Sequence, residues 1–487
     1  MKRMKKAVLL LACLCLLGTI MAGCGKKSVD DVTELTWYVP QVLDSPDFDK
    51  VMGVVNEKLR TGYGMNLKLI GIDSGNYSKK LQVMNAGREE YDLAFTSSWT
   101  NDFYSNVNNG VCADLTSLLP EYAPKLYGSM QQAVWKAVTV DERIYAVPNW
   151  QIQAKGSSLA MPVERLEQTG MNMDDFNTLE DITEYLRRLK TAGTECNKVL
   201  PGWYSALRYY GYCEIVGQDL PGAISFTASG KPVVVNQYDL PEFEKYIKLR
   251  KSWTDEGLIF NKYLPEDISS STMEKKEIRQ RPFTLHIFKP GSDAESKKSM
   301  GYEWKSKQMA PAVLDAQSIM AAMTCVSATG KNPEKAVQLL EIVNTEPEII
   351  NLLAYGLEGQ HYEKIGEKTV KSIQNSGYTG VSAWKIGSVA NTYLIEGQPE
   401  DVWEQTETFN ENAIVSPILG FNPDTEVIAE ELANLRTVIN ERLTMLDLGL
   451  TEAEAGLSNF REELKKAGVD TVIAELQKQI DTWYSKQ

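Results

Sequence analysis

The sequence predicts an α/β fold built around a parallel sheet. Two observations carry this. After an N-terminal leader, the chain alternates strand, helix, strand, helix, strand within about sixty residues, the pattern that stacks parallel strands through right-handed crossovers. The helices declare themselves by apolar positions at helical spacing, and the strands by short apolar or alternating runs.

The leader reads Met1-Lys2-Arg3-Met4-Lys5-Lys6, then an apolar run from Ala7 to Ala22, then Gly23-Cys24. A basic start, an apolar run and small residues before a cut site describe a secretory signal over residues 1–23. The run is short for a membrane span. Met21-Ala22-Gly23-Cys24 resembles the lipobox of bacterial lipoproteins, with Met21 where Leu is commoner. That resemblance implies a diacylglycerol on Cys24 and a lipidated tether over 24–33, against the alternative of an ordinary secreted protein cut near Gly23.

Glu34–Val39 is the first expected strand, stopped by Pro40. Phe48, Val51, Met52, Val55 and Leu59 mark a helix closed by Gly62. Asn66–Ile70, Tyr77–Ala86 and Tyr91–Phe95 supply the next strand, helix and strand. The segment Val138–Pro148 reads as a hairpin leading to Asn149-Trp150. A helix is expected over Leu179–Lys190, with Thr178 and Asp181 spaced as a capping box. A hairpin follows around Ser229-Gly230-Lys231, then a helix over Glu242–Glu256 with Phe243, Tyr246, Ile247, Arg250 and Trp253 along one side. Arg281–Phe288 reads as a strand, 290–301 as a loop and Ile319–Val326 as a buried strand. Helices open at Pro333 and Glu346, and the chain from Asp424 onward is strongly helical.

The leader holds four of the 51 Lys and Arg residues and none of the 65 Asp and Glu, which leaves 47 against 65, a net charge of −18 with His neutral. So acidic a body lacks the basic footprint of a nucleic-acid binder and does not lie flat on anionic lipid. Of seven cysteines, Cys13 and Cys15 leave with the leader. Cys112, Cys196, Cys213 and Cys325 remain without C-x-x-C spacing. The pattern gives no metal site; free buried thiols are expected, with Cys196–Cys213 as one possible bridge.

Several stretches together resemble the extracellular solute-binding proteins of bacterial ABC importers, in particular a large, sugar-type lipoprotein subgroup from Gram-positive bacteria. They are Leu81–Gly87 leading into Tyr91-Asp92-Leu93-Ala94-Phe95-Thr96, Ile144-Tyr145-Ala146-Val147-Pro148, Asn332-Pro333-Glu334-Lys335-Ala336-Val337, Tyr355–Tyr362 and Ala467–Gln479. The chain departs from that pattern at Asp141-Glu142-Arg143, where Asp-Gly-Lys is commoner, and at Ser388, where Asn is frequent. The resemblance implies a two-lobed, periplasmic-binding-protein-like fold with an interlobe cleft and several chain crossovers. It assigns 34–148 with about 289–345 to lobe 1, and 149–288 with about 346–487 to lobe 2. It further implies a monomer without cofactor, anchored to the bilayer on the extracellular face, that captures an oligosaccharide or related solute and delivers it to an ABC permease.

A sugar cleft needs flat apolar platforms beside short polar side chains. Ten Trp and 22 Tyr make platforms plentiful. Trp99 and Trp150 follow expected strand ends, where ligands of open α/β sheets collect, and Ser98 and Asn149 adjoin them. Trp37 and Tyr38 alternate across a strand, so one of them is free to reach the cleft edge. Trp203, with Tyr204 beside it, sits on a Pro-Gly turn. Trp384 lies in a loop between Gly380 and Gly387. His286 is a lesser candidate, whereas His361 and Trp253 read as structural and Trp483 as a packing plug. Peptide or cation binding, a sensing subunit and a surface glycan-acting enzyme stay open as alternatives. Against the enzyme, the chain has no G-x-S-x-G, Walker A or H-E-x-x-H motif, and with 65 acids a carboxylate pair carries no information.

Overall fold

The computed structural model describes residues 32–196, 202–259 and 281–486. The leader, Cys24 and the tether up to residue 31 lie outside the described residues, as do Val199-Leu200-Pro201.

The opening units are β1 Thr33–Val39, α1 Phe48–Tyr63, β2 Met65–Gly71, α2 Ser74–Ala86 and β3 Leu93–Thr96. Val51, Met52, Val55 and Leu59 form the buried face of α1, as their spacing requires. The helix ends at Gly64 rather than Gly62. Gly64 adopts φ 65°, and its N–H reaches the Arg60 carbonyl. β1 pairs parallel with both β2 and β3. Asp92 helps to set that pairing, because its carboxylate accepts the Thr36 N–H at 2.8 Å. The sheet is nevertheless mixed. Met323–Val326 runs antiparallel beside β3, and Val147–Pro148 antiparallel beside that, giving five strands. The strand expected from Ile319 starts only at Met323, since Ala316–Ile319 forms a helical turn capped by Asp315.

Two large apolar cores divide the described residues, and a third, smaller cluster around Tyr77, Leu81, Tyr91, Phe95 and Cys325 packs beneath Tyr38 and Trp384. The first fills the space around this sheet and takes in Leu35, Trp37, Leu340 and Ile350. The second lies against an antiparallel sheet of Thr284–Phe288, Gly156–Pro162 and Trp304–Gln308. It also holds the helix Pro241–Asp255, whose Phe243, Tyr246, Ile247, Arg250 and Trp253 are all buried, and the terminal helices α3 Ala429–Asp447, α4 Ala453–Lys466 and α5 Val469–Tyr484. Trp483 packs on this core beside Phe421. The capping box before Ile182–Thr191 is half present: the Asp181 carboxylate accepts the Thr178 N–H at 2.8 Å.

The expected lobe boundaries need correcting at two places. Pro347–Tyr355 and the loop carrying Val381 and Ile386 pack on the first core, because their apolar faces meet the helix Pro333–Thr345. Residues 304–308 belong to the second, as an edge strand of its sheet. The supposed loop 290–301 holds the helix Ser292–Met300. Among the described residues the chain therefore crosses between these two cores three times. Ala154 lies in the first core and Leu159 in the second. Val313 faces the second while Ala312 and Leu314 face the first, and Leu419 and Phe421 split likewise. The crossing strands pair with one another. Lys155 bridges Val313 antiparallel, and Val313-Leu314 runs parallel to Ile414-Val415. The three linkers are thus tied to one another, an arrangement suited to a hinge between lobes.

No bridge joins Cys196 to Cys213; all four described cysteines are free and buried. In the hairpin Thr139-Val140/Arg143-Ile144, the two turn residues Asp141 and Glu142 both have positive φ, 47° and 65°. This turn wants Gly at its second position. Glu142→Gly is expected to raise the melting temperature by roughly 1–3 °C, measured by differential scanning calorimetry.

Candidate functional site

A cleft of about 520 Å³ opens between the lobes at the carboxyl end of β3. Its first-lobe wall is aromatic: Trp99, Trp384, Tyr355, Tyr393 and Trp403. Trp99 is 53 % exposed, while its indole N–H donates to the Ala321 carbonyl at 2.8 Å. That bond fixes the ring without covering its face. Trp384 lies 6.5 Å from Trp99 between centroids, and both rest on Phe95. Across the cleft stand Ile287, Lys289, Pro290 and Glu295, with Lys289 and Glu295 ion-paired. Gln151, Gln398 and Thr392 add short polar groups, and Lys155 sits where the chain crosses between lobes.

The Trp384 loop is held by its backbone. The Asn149 amide donates to the Trp384 carbonyl at 2.9 Å, Gln41 bonds Gly380 and Ser382, and the Lys385 ammonium donates to the Pro40 carbonyl at 2.9 Å. Gly380 and Gly387 are required by contact: a Cβ there would lie 2.1 Å from the Ala354 carbonyl oxygen and 2.4 Å from that of Val343. The Tyr355 hydroxyl donates to the Tyr393 carbonyl at 2.8 Å, and burial pushes its pKa up to about 12.

Of the residues singled out from sequence, Trp99 and Trp384 meet in this cleft. Asn149 is 1 % exposed and acts one layer back, through the Trp384 loop. Trp150 and Ser388 line a neighbouring cavity of about 320 Å³, which shares Trp403 with the cleft. Ser98 lines a smaller interlobe cavity of about 170 Å³ with Glu214 and Asp315, and its hydroxyl donates to the Gln317 carbonyl.

Five other residues singled out from sequence do not line this cleft. Trp37 is wholly buried in the first core, on the inward face of β1. Tyr38 points the other way and packs edge-on against Tyr91. Trp203 begins a helix, not an exposed turn, and packs edge-on against Phe243 in the second core. Tyr204 on the same helix borders the buried Arg208. His286 faces the Ser158 hydroxyl across the sheet, and burial lowers its pKa; its neighbour Ile287 is the one that reaches the cleft. His361 is structural: its Nδ1 accepts the Leu357 N–H, and its Nε2 meets the Asp47 carboxylate at 3.0 Å.

Tyr355, Tyr393, Trp403 and Lys155 went unseen. Lys155 had a usable signal, as the sole charge in the otherwise uncharged run from Ile144 to Val163. Behind the cleft lies a buried charge group. Arg208 donates to Asp315 at 2.8 Å, with the two side chains 5 % and 7 % exposed. Burial raises the Glu214 pKa to about 8.

Comparison with known proteins agrees with this architecture. Residues 417–485, which hold the three terminal helices, match a family described as "Domain of unknown function (DUF3502)". The chain is 26 % identical to a carbohydrate ABC transporter substrate-binding protein of Streptococcus pneumoniae serotype 4, over 99 % of each chain. It superposes on the crystal structure of the N-glycan transport solute binding protein NgtS of Streptococcus pneumoniae with a TM-score of 0.81 at 24 % identity, covering 92 % of this chain and 98 % of that one. For the same protein in complex with Man5GlcNAc, the TM-score is 0.71 at 23 % identity, covering 93 % and 99 %. The chain thus has the two-lobed fold of solute-binding proteins, and it resembles a substrate-binding protein of an ABC transporter from end to end.

Proposed function

We propose that this protein is a lipid-anchored substrate-binding protein that captures an oligosaccharide or related polyhydroxylated solute in the interlobe cleft and hands it to an ABC permease. The observation that carries this reading is the cleft itself. Aromatic faces of Trp99 and Trp384 stand beside Gln and Thr side chains, opposite a second lobe joined through three paired linkers. Sugar C–H faces stack on such rings, and hydroxyls pair with such amides. Contacts from both lobes make the closed state the tighter binder, so the ligand drives closure. The names of the relatives support transport over catalysis. The lipobox-like Cys24 supports an anchor on the outer face of the membrane, and no helix among the described residues is long and apolar enough to cross it.

The test is a thermal-shift screen of the protein against mono-, di- and oligosaccharides. A ligand at a hundredfold excess over its Kd adds about 2.7 kcal/mol to folded-state stability, an upward shift in melting temperature that is readily measured. The oligosaccharide is expected to be recovered intact by chromatography. Cleavage products would replace this reading with an enzyme, and silence across all sugars would redirect it to peptides and cations.

A further inference from the structure

The cleft carries one charge that its walls do not balance. Lys289 and Glu295 neutralise each other. Lys155 lines the same space, and its backbone is fixed in the hinge, N–H to the Val313 carbonyl at 2.9 Å and carbonyl to the Val313 N–H at 3.0 Å. Its ammonium has no ion-pair or hydrogen-bond partner among the described residues. The charged groups that face it are Arg208 from the helix Trp203–Tyr209, Asp315 at the cap of Ala316–Ile319 and Glu214 from the strand Tyr212–Glu214. Arg208 and Asp315 cancel as a pair. Burial keeps Glu214 largely protonated at neutral pH, its pKa raised to about 8. Burial lowers the His286 pKa, which disfavours a charge there. One positive charge is left over, in a body of net charge −18.

Lobe closure would strip water from this ammonium. A neutral sugar offers it hydroxyl oxygens but no counter-charge, so the desolvation cost stands; a carboxylate removes it. We infer that the saccharide taken by this cleft bears a carboxylate, as a uronic acid does, and that Lys155 is the residue that binds it. This rests on the sugar-binding reading above and deepens it to acidic saccharides. Trp99 and Trp384 would stack the sugar rings while Lys155 reads the acid.

Burial, with Arg208 nearby, has already lowered the Lys155 pKa to about 8. Acid binding therefore weakens as pH rises through 8, as Lys155 loses its proton. Glu214 ionises over the same range and adds repulsion, so the pH profile is read beside a Lys155 variant.

The experiment uses the full-length protein in detergent. Gluco-, manno- and galacto-trisaccharides are compared with the corresponding trisaccharides of glucuronic, mannuronic and galacturonic acid, by thermal shift and then isothermal titration calorimetry. At least one acidic trisaccharide is expected to bind roughly tenfold or more tightly than its neutral counterpart. Lys155→Met and Lys155→Gln are expected to abolish that preference, the acidic trisaccharide falling by about tenfold or more to the affinity each variant shows for its neutral counterpart; Met fills the space of the stem, so folding is preserved, which a melt without ligand checks. Equal or tighter binding of every neutral partner, or a preference that survives both variants, overturns the inference and leaves the sugar reading intact. Silence of both series removes the sugar reading itself.

Discussion

Asp315→Ala is expected to cost about 3–5 kcal/mol of stability at neutral pH, the toll of leaving a buried ion without its partner. Asp315 is 5 % exposed and serves three groups at once. It accepts Arg208 Nη2 at 2.8 Å, the Ser318 N–H at 2.6 Å and the Ser318 hydroxyl at 2.6 Å. Truncation strands the Arg208 guanidinium, which is 5 % exposed, and uncaps Ala316–Ile319. The pair also ties the second lobe to the strand by which the chain re-enters the first, so its loss should weaken the coupling between the lobes. Urea denaturation followed by tryptophan fluorescence reads the change. Replacing both partners, as in Arg208→Met with Asp315→Asn, is expected to recover more than half of it, because the stranded charge goes too. The pH dependence has a definite sign. Burial alone would raise the Asp315 pKa, but Arg208, Lys155 and Ser318 together hold it below the ordinary 3.8. Its contribution is complete above 3.8 and disappears as pH falls through the lower folded value. The gap between wild type and Asp315→Ala should thus be constant from pH 5 to 7 and close only in strong acid.

Residues such as Asp315 show where the sequence stopped being informative. The opening strands and helices were legible because their apolar spacing is a local property. The buried face of Pro241–Asp255 was read residue by residue, and so was Trp384 between two glycines. What failed is non-local. Trp37 and Trp203 carry the same ring as Trp99, and only the packing of distant segments decides that the first two are core and the third is a wall. Tyr355 and Tyr393 come together through a loop closure of 38 residues, which no spacing announces. The lobe assignment of 346–419 went wrong for a related reason. The chain crosses the hinge a third time only near Ile414–Phe421, where the crossing strand is two residues long and adjoins ordinary loop. Lys155 was the exception: a lone charge in an otherwise uncharged run is a local signal, and it marks the crossing between lobes.

The tryptophans give the second large effect and separate binding from folding. Trp384→Ala is expected to raise the Kd for the preferred oligosaccharide by about 30-fold or more, the range of an aromatic anchor in an interface. It presents a ring to the cleft and also supports Trp99, at 6.5 Å, so its removal damages two platforms. Folding should survive, because the loop is fastened through backbone atoms by Asn149, Gln41 and Lys385, none of which needs the indole. Trp99→Ala should weaken binding by about tenfold with stability almost unchanged, since its ring is more than half exposed. Trp37→Phe is the counter-test. That ring is completely buried, so the substitution should lower the melting temperature while the Kd stays within about twofold. Titration calorimetry and thermal melts on the three variants distinguish the cases. If Trp99→Ala and Trp384→Ala bind as wild type does, the aromatic cleft is not where the ligand sits. A loss of binding that follows melting temperature across all three would trace the effect to folding instead. Only the crossed pattern, in which binding falls without stability at Trp99 and stability falls without binding at Trp37, assigns the platform to recognition.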